Sequence, residues 1–441
     1  MGGNRLSEIL VEGLHRLRGE IGIQGSKNAA LPMMAAAVLH KGMTVLNNVP
    51  RIQDVFCMMG ILKSIGCKCS LDGHTLTIDA SEISQTQIPR EFLTAMRSSV
   101  ILMGVLLGRC KEAQAGYPGG CTIGKRPIDL HLYALKEMGT QIRETDGELY
   151  ARTEGLKGSE ILFSYPSVGA TEQAVLAAVL ADGVTLIQGA AREPEIGNLC
   201  RLLNHMGAKI SGIESDTLRI KGVNELKDTV YDIPGDRIVA GTYLYAVMAA
   251  GGEAVLRGIC PAELNRVFQT ARQMGAKLEW ENLPGASFIK VQINDRPDGI
   301  WVKTSPYPGF PTDLQSPLMA LMAAGNGNGE IRETVFEERF GTAEELRKLG
   351  ARIEIQKDRA RIHGMYPLRG ETVQAADLRG GAALVIAGLA AEGVTKIQNS
   401  HHIFRGYEDI CGDLRALGAR VRYKDLIQRP YTKTGECTRN L

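Results

Sequence analysis

Residues 62–70 read Leu62-Lys63-Ser64-Ile65-Gly66-Cys67-Lys68-Cys69-Ser70: a helix-like run, a glycine, then a short strand-like run. The phrase returns as LKEMGTQI (135–142), LNHMGAKI (203–210), RQMGAKL (272–278), LRKLGARIEI (346–355) and LRALGARV (414–421). Its glycines are Gly66, Gly139, Gly207, Gly275, Gly350 and Gly418, with successive separations of 73, 68, 68, 75 and 68 residues. Each glycine suits the left-handed position that ends a helix. The apolar alternation after it suits a strand. Such a period is too long for the common solenoids and leaves room for two helices and several strands per unit.

A second phrase shares the period. It is a helical stretch almost free of charge: NAALPMMAAAVLHKG (28–42), SSVILMGVLLGR (98–109), TEQAVLAAVLADG (171–183), GTYLYAVMAAGG (241–252), LQSPLMALMAAGNG (314–327) and GGAALVIAGLAAEG (380–393). A helix apolar on every side is a buried helix. The expectation is therefore an α/β chain with helices in the core and sheets facing solvent. Three units can surround one core, so six units predict two similar domains. A doubly wound fold would bury strands instead, and the mixed-polarity strands argue against it. Turn residues near Gly25–Lys27 and Pro234–Arg237 mark where the chain crosses between the halves.

Bulk properties narrow the function. At 441 residues, with 44% hydrophobic and 23% charged residues, the chain is a soluble globular protein of more than one core. A net charge of +2 implies neither a nucleic-acid nor a membrane partner, so any attraction for anions is local. The start, MGGNRLSEILVEG, lacks the apolar core of a signal peptide, and Leu6 breaks the myristoylation pattern. Apolar runs such as residues 100–107 are too short to span a bilayer. Nine cysteines without a CxxC pair speak against a disulfide framework and a zinc site, and for a reducing cytoplasm.

Polar residues stand where the buried helices begin: Ser26-Lys27-Asn28, Met96-Arg97-Ser98, Ser167 to Thr171, Asp236-Arg237, Thr312-Asp313 and Asp377-Leu378-Arg379. Ser, Thr and Asp are ordinary caps. Cations are different. Lys27, Arg97 and Arg379 oppose the helix dipole unless an anion sits there. Several helix N-termini facing one cleft would make a focused anion site. One further stretch, YPGGCTIGKRP (117–127), puts Cys121 on a Gly- and Pro-rich loop beside Lys125 and Arg126. A thiol in that setting is either accidental or reactive.

Taken together, GSKNAALP (25–32), NVPRIQDV (48–55), PGGCTIGKRPIDLHL (118–132), PSVGATE (166–172), PGFPTDLQ (308–315), DLRGGAALVIAG (377–388) and FRGYE (404–408) resemble the UDP-N-acetylglucosamine enolpyruvyl transferase family over essentially the whole chain. The resemblance implies a two-domain inside-out α/β barrel of six βαβαββ-type units, three per domain. It implies a discontinuous first domain, residues 1–26 plus 236–441, and a second domain, residues 27–235, carrying the Cys121 loop. The implied reaction moves the enolpyruvyl group of phosphoenolpyruvate to the 3′-hydroxyl of UDP-N-acetylglucosamine and releases phosphate, the first committed step of peptidoglycan synthesis. It needs no metal or organic cofactor.

Residue roles follow from the same resemblance. Cys121 is the general acid toward the methylene carbon, a role suited to a thiol near Lys125 and Arg126. Asp313 is the base for the sugar hydroxyl. Lys27 and Arg405 are catalytic cations, and with Asn28, Arg97, Arg126 and Arg379 they hold phosphoenolpyruvate. Asn28, Arg97, Arg126, Pro127, Ile128, Asp129, Leu130, Ser167, Val168, Gly169, Asp313 and Val335 contact the UDP-sugar. Plainer roles stand beside these: Asp313 as a helix cap, Asn28 as a turn residue, His131 as packing, Arg405 as a surface ion pair and the other eight cysteines as buried apolar residues.

Two positions depart from the family pattern: Val239, where Glu is usual, and Glu338, where Asn is common. They put the usual cleft interactions and the acceptor in question. A shikimate-phosphate enzyme is disfavoured by Asn28 and Cys121. An enzyme acting on another uridine nucleotide, and a nonenzymatic UDP-sugar-binding paralogue, remain the alternatives.

Overall fold

The computed structural model describes residues 8–90, 92, 96–117, 127–283 and 287–424; for Arg97 and Ser98 it describes the backbone alone. The charge-free phrases form α1 (Lys27–Ala37), α3 (Leu102–Cys110), α5 (Val168–Ala178), α7 (Arg237–Ala250), α9 (Gln315–Ala323) and α11 (Leu378–Leu389). Alternating with them are α2 (Gln53–Ser64), α4 (Asp129–Glu137), α6 (Pro194–His205), α8 (Asn265–Gln273), α10 (Thr342–Lys348) and α12 (Ile410–Ala416). The even-numbered helices each end at one of the six periodic glycines. Those glycines have φ of +112°, +87°, +106°, +97°, +90° and +90° in chain order, values that a side chain would strain.

All residues of α7 and α9 are buried, as is α11 apart from Leu378. These three helices pack on one another. In the other half, α1 packs on α3 and α3 on α5, while α6 lies against α1 and α5. A fully buried Leu, Ile or Met contributes about 1.5–3 kcal/mol, so uncharged helices are well used at these centres.

The sheets of three and four strands share one order. Thr229–Asp232 runs parallel to Met43–Asn47, which pairs antiparallel with Thr75–Asp79, itself antiparallel to Lys68–Asp72. Sheets around Val184–Gln188, Gly252–Arg257 and Asn328–Arg332 repeat it. In the sheet of Val394–Gln398, Glu8–Glu12 takes the third place, so the N-terminal strand completes the unit formed by the last residues. In the sheet of Glu112–Gly116, the first place is taken by Gln87, in a parallel bridge to Gln114. Along Thr75–Asp79, Leu76 and Ile78 are buried while Thr75 is exposed. Each strand thus turns one apolar face to the helices.

Buried apolar residues fall into two clusters. One joins Ile9, Val11, Leu17, Ile21 and Ile23 to residues from Ile238 onward; the other spans Ala29 to Ile233. The chain passes between them twice, side by side. Gly25 bridges Gly235, Ser26 N–H donates to the Pro234 carbonyl (2.8 Å), and Asp236 N–H donates to the Gln24 carbonyl (2.9 Å).

Candidate active site

Lys27 opens α1 behind Ser26, whose hydroxyl oxygen accepts Ala29 N–H (3.3 Å). Its charge opposes the helix dipole, and a carboxylate answers it. Lys27 Nζ donates to Oδ2 of buried Asp54 in α2 (3.3 Å). Arg405, at the end of the 3₁₀ turn Ser400–Arg405, donates to the same group through Nε to Oδ1 (2.9 Å) and Nη2 to Oδ2 (3.3 Å). Asp54 and Arg405 are 351 residues apart and belong to different cores.

Asp313 lies in the 3₁₀ turn Thr312–Leu314, just ahead of α9. It does not cap a helix. Arg339 Nη2 donates to its Oδ1 (2.7 Å) and Arg379 Nη2 to its Oδ2 (2.9 Å). Burial alone would raise its pKa, but Arg379, Arg339 and Lys27 outweigh burial and hold the carboxyl well below its ordinary range. Lys27 is therefore the electrostatic link between the two carboxylates. Arg379 is set in the first turn of α11 by Asp377, whose Oδ1 accepts the N–H groups of Arg379 and Gly380 (2.9 Å each).

Glu333 holds the segment between them. Its Oε1 accepts from Thr304 Oγ1 (2.8 Å) and from Val335 N–H (2.7 Å), and its Oε2 from Thr312 Oγ1 (2.8 Å), next to Asp313. At the junction of the cores, Arg237 donates to Glu195 through Nε to Oε1 (3.0 Å) and Nη2 to Oε2 (3.1 Å). Tyr307 N–H donates to Glu193 Oε1 (3.2 Å). Burial, with Glu195 and Glu193 nearby, pushes Glu172 up to about 8 against the pull of Lys27.

On the α5 side, Ser167 caps the helix through Ala170 N–H (3.4 Å), and Val168 and Gly169 form its first turn. His131, in α4, shares a hydrogen bond between Nδ1 and Gln173 Oε1 (2.6 Å). A Cβ on Gly169 would stand 3.0 Å from the His131 ring, so any side chain there would press on that ring. Pro127 and Ile128 lead into α4, whose first turn carries Asp129 and Leu130.

The structure thus gathers Lys27, Arg405, Asp313 and Arg379 through shared carboxylates, and places Ser167 to Gly169 beside the helix that follows Pro127 and Ile128. Cys121, Lys125 and Arg126 lie outside the described residues, as does Cys437. Arg97 begins the 3₁₀ turn Arg97–Ile101 that precedes α3. Asn28 lies inside α1 rather than in a turn. The described cysteines are not uniformly buried: Cys67, Cys200 and Cys411 are, whereas Cys57, Cys69, Cys110 and Cys260 are half-buried. Val239 is fully buried in α7, and Glu338 is exposed beside buried Arg339. Sequence reading missed Asp54, Arg339 and Glu333. Asp54 stood in a quoted motif as a charge in an otherwise apolar helix turn, which is a usable signal. Arg339 sits in a run of charges whose pattern does not mark it. A cavity of about 410 Å³ on the outer face of the three-stranded sheet, lined by Arg143, Tyr150 and Arg152 among others, holds none of these residues.

The sequence profile of the EPSP synthase (3-phosphoshikimate 1-carboxyvinyltransferase) family matches residues 11–414. Among solved structures, the enolpyruvyl transferase NikO from Streptomyces tendae superposes with a TM-score of 0.85 at 26% identity, covering 95% of this chain and 99% of that one. EPSP synthase from Acinetobacter baumannii shares the fold, with a TM-score of 0.75 at 18% identity over 95% of this chain and all of that one. The fold is that of the enolpyruvyl transferases. UDP-N-acetylglucosamine 1-carboxyvinyltransferase 2 of Caldanaerobacter subterraneus subsp. tengcongensis is 43% identical over 417 residues, 94% of this chain and 99% of that protein. The UDP-N-acetylglucosamine 1-carboxyvinyltransferase of Cellvibrio japonicus is 43% identical over 420 residues, 95% of this chain and 99% of that protein. The chain belongs to the UDP-N-acetylglucosamine 1-carboxyvinyltransferase family, and it is a transferase. Among the described residues, no helix is long and apolar enough to cross a membrane.

Proposed function

We propose that the chain transfers the enolpyruvyl group of phosphoenolpyruvate to the 3′-hydroxyl of UDP-N-acetylglucosamine, releasing phosphate, as a cytoplasmic step of peptidoglycan synthesis. The observation that carries this reading is the convergence of Lys27, Arg405, Arg339 and Arg379 on two carboxylates at the meeting of two cores. A dianionic phosphate ester with its own carboxylate needs such a set of cations. The finer architecture belongs to the same reading: six βαβαββ-type units in an inside-out arrangement, three in residues 27–235 and three in residues 1–26 plus 236–441, with the cleft between.

In this reading the acceptor oxygen bonds to C2 of phosphoenolpyruvate while its proton passes to Asp313. The C2=C3 pair takes a proton at C3 from the Cys121 thiol. In the second half C3 returns a proton to the Cys121 thiolate, C2=C3 reforms, the C2–O bond to phosphate breaks and its electron pair leaves with the phosphate. Lys27, Asn28, Arg97, Arg126, Arg379 and Arg405 hold phosphoenolpyruvate; Asn28, Arg97, the residues from Arg126 to Leu130 and Ser167 to Gly169, Asp313 and Val335 hold the UDP-sugar.

The test is direct. Purified chain, UDP-N-acetylglucosamine and phosphoenolpyruvate are mixed and released phosphate is measured. Phosphate above a Cys121→Ala control is expected; none above that control sinks the reading. A small epoxide phosphonate of the fosfomycin type is expected to leave one adduct, on Cys121, in the mass spectrum. Label spread over several cysteines removes the case for a selectively reactive thiol.

A further inference from the structure

Arg339 and Arg379 are each 4% exposed, and each gives one Nη2 to Asp313. Nη1 of each is also buried and has no hydrogen-bond partner among the described residues. A guanidinium is a fork that prefers two parallel bonds to one carboxylate. Here each fork is half used, and the single carboxylate is divided between two of them. Buried donors left unmade are costly, so this cluster is poised for a further acceptor.

We propose that Asp313 occupies the place of the donor substrate's carboxylate, and that arrival of that carboxylate at Arg339 and Arg379 displaces Asp313 and frees it as the base. This rests on the function proposed above. No proton moves in the exchange: one carboxylate replaces another on the same two guanidiniums. Only the released Asp313 then meets the acceptor hydroxyl. A carboxylate gripped by two guanidiniums is a weak proton acceptor, so the base stays idle until the donor is bound. In this scheme Arg339 holds Asp313 before the donor arrives and the donor's carboxylate afterwards.

The test needs a ligand that cannot react. The full chain is titrated calorimetrically with 2-phospholactate, which carries a phosphate and a carboxylate but no double bond, and with isopropyl phosphate, which lacks the carboxylate. Both are run on wild type and on Asp313→Ala. Removing the competing carboxylate is expected to tighten 2-phospholactate by about tenfold or more, with little change for isopropyl phosphate. Equal or weaker binding of 2-phospholactate overturns the exchange. So does an equal gain for both ligands, which is a mere charge effect. A wild-type crystal structure with 2-phospholactate needs no substitution: Asp313 is expected beyond about 4 Å from both guanidiniums, and retention of both bonds overturns the proposal. The phosphate-release assay reads activity separately, so a chain that turns over without showing the exchange refutes this inference alone.

Discussion

At the scale of single residues, Glu172 is a carboxyl kept neutral at physiological pH. Burial is the first cause, and Glu195 and Glu193 add repulsion that Lys27 only partly offsets, so its pKa stands at about 8 against an ordinary 4.5. The sign of the linkage follows. Below about pH 4.5 the folded and unfolded chains both hold this proton and the group contributes nothing. Between about 4.5 and 8 the unfolded chain has lost it and the folded chain has not. The unfolded state then binds fewer protons, so stability falls as pH rises, by at most about 1.4 kcal/mol per pH unit. Glu172→Gln removes that slope. Melting curves are expected to show the variant gaining on wild type steadily from pH 5 to pH 8; a difference flat in pH counts against a neutral Glu172. This residue was unreadable in sequence because its pKa is made first by burial and then by Glu195 and Glu193, all of which only the fold supplies. Asp313 and Arg379 were readable, because a polar residue at the mouth of an apolar helix stands out. Arg339 was not, since what distinguishes it from the charges around it is which partner it meets, and Asp54 left a signal in its motif but none of its partner 351 residues away.

At the scale of elements, the helix ends carry both stability and site geometry. Asp236 shows this most fully. Its Oδ1 caps α7 by accepting Ile238 N–H (2.8 Å) and Val239 N–H (3.0 Å), while its Oδ2 accepts Lys27 N–H (3.0 Å) from the neighbouring crossing. Asp236→Ala loses the cap, worth about 1–2 kcal/mol, and leaves the Lys27 N–H without its acceptor. Asp236→Asn keeps one oxygen and is expected to fall between. Chemical denaturation gives the ranking, and an alanine variant as stable as the asparagine one would deny the second role. The helices themselves were legible, because charge-free runs and periodic glycines are local signals. The 3₁₀ turns Arg97–Ile101 and Thr312–Leu314 were not. They separate Arg97 and Asp313 from the α-helices they precede, by backbone choices that side-chain pattern does not record.

At the scale of the whole molecule, the described residues join the two cores through ion pairs and through backbone hydrogen bonds. Asp54 meets Arg405, Glu195 meets Arg237, Arg51 N–H donates to Glu408 Oε2 (3.1 Å), and the two crossings lie side by side. The repeat period made two similar cores legible, but pairing across hundreds of residues has no local signature. The return of Glu8–Glu12 to the last sheet came only from family resemblance. The Glu195–Arg237 pair is the most buried of these couplings, with both side chains under a tenth exposed. Removing one partner of such a pair strands a charge, at a cost of about 3–5 kcal/mol. Glu195→Gln strands Arg237 at the start of α7, where the helix dipole also disfavours a cation. The strain falls at the junction and spares each helical core. Calorimetry is therefore expected to resolve two unfolding transitions in the variant, with the cluster from Ala29 to Ile233 and the cluster containing α7, α9 and α11 melting apart. A single transition at the wild-type temperature would mean that this pair does not couple the cores.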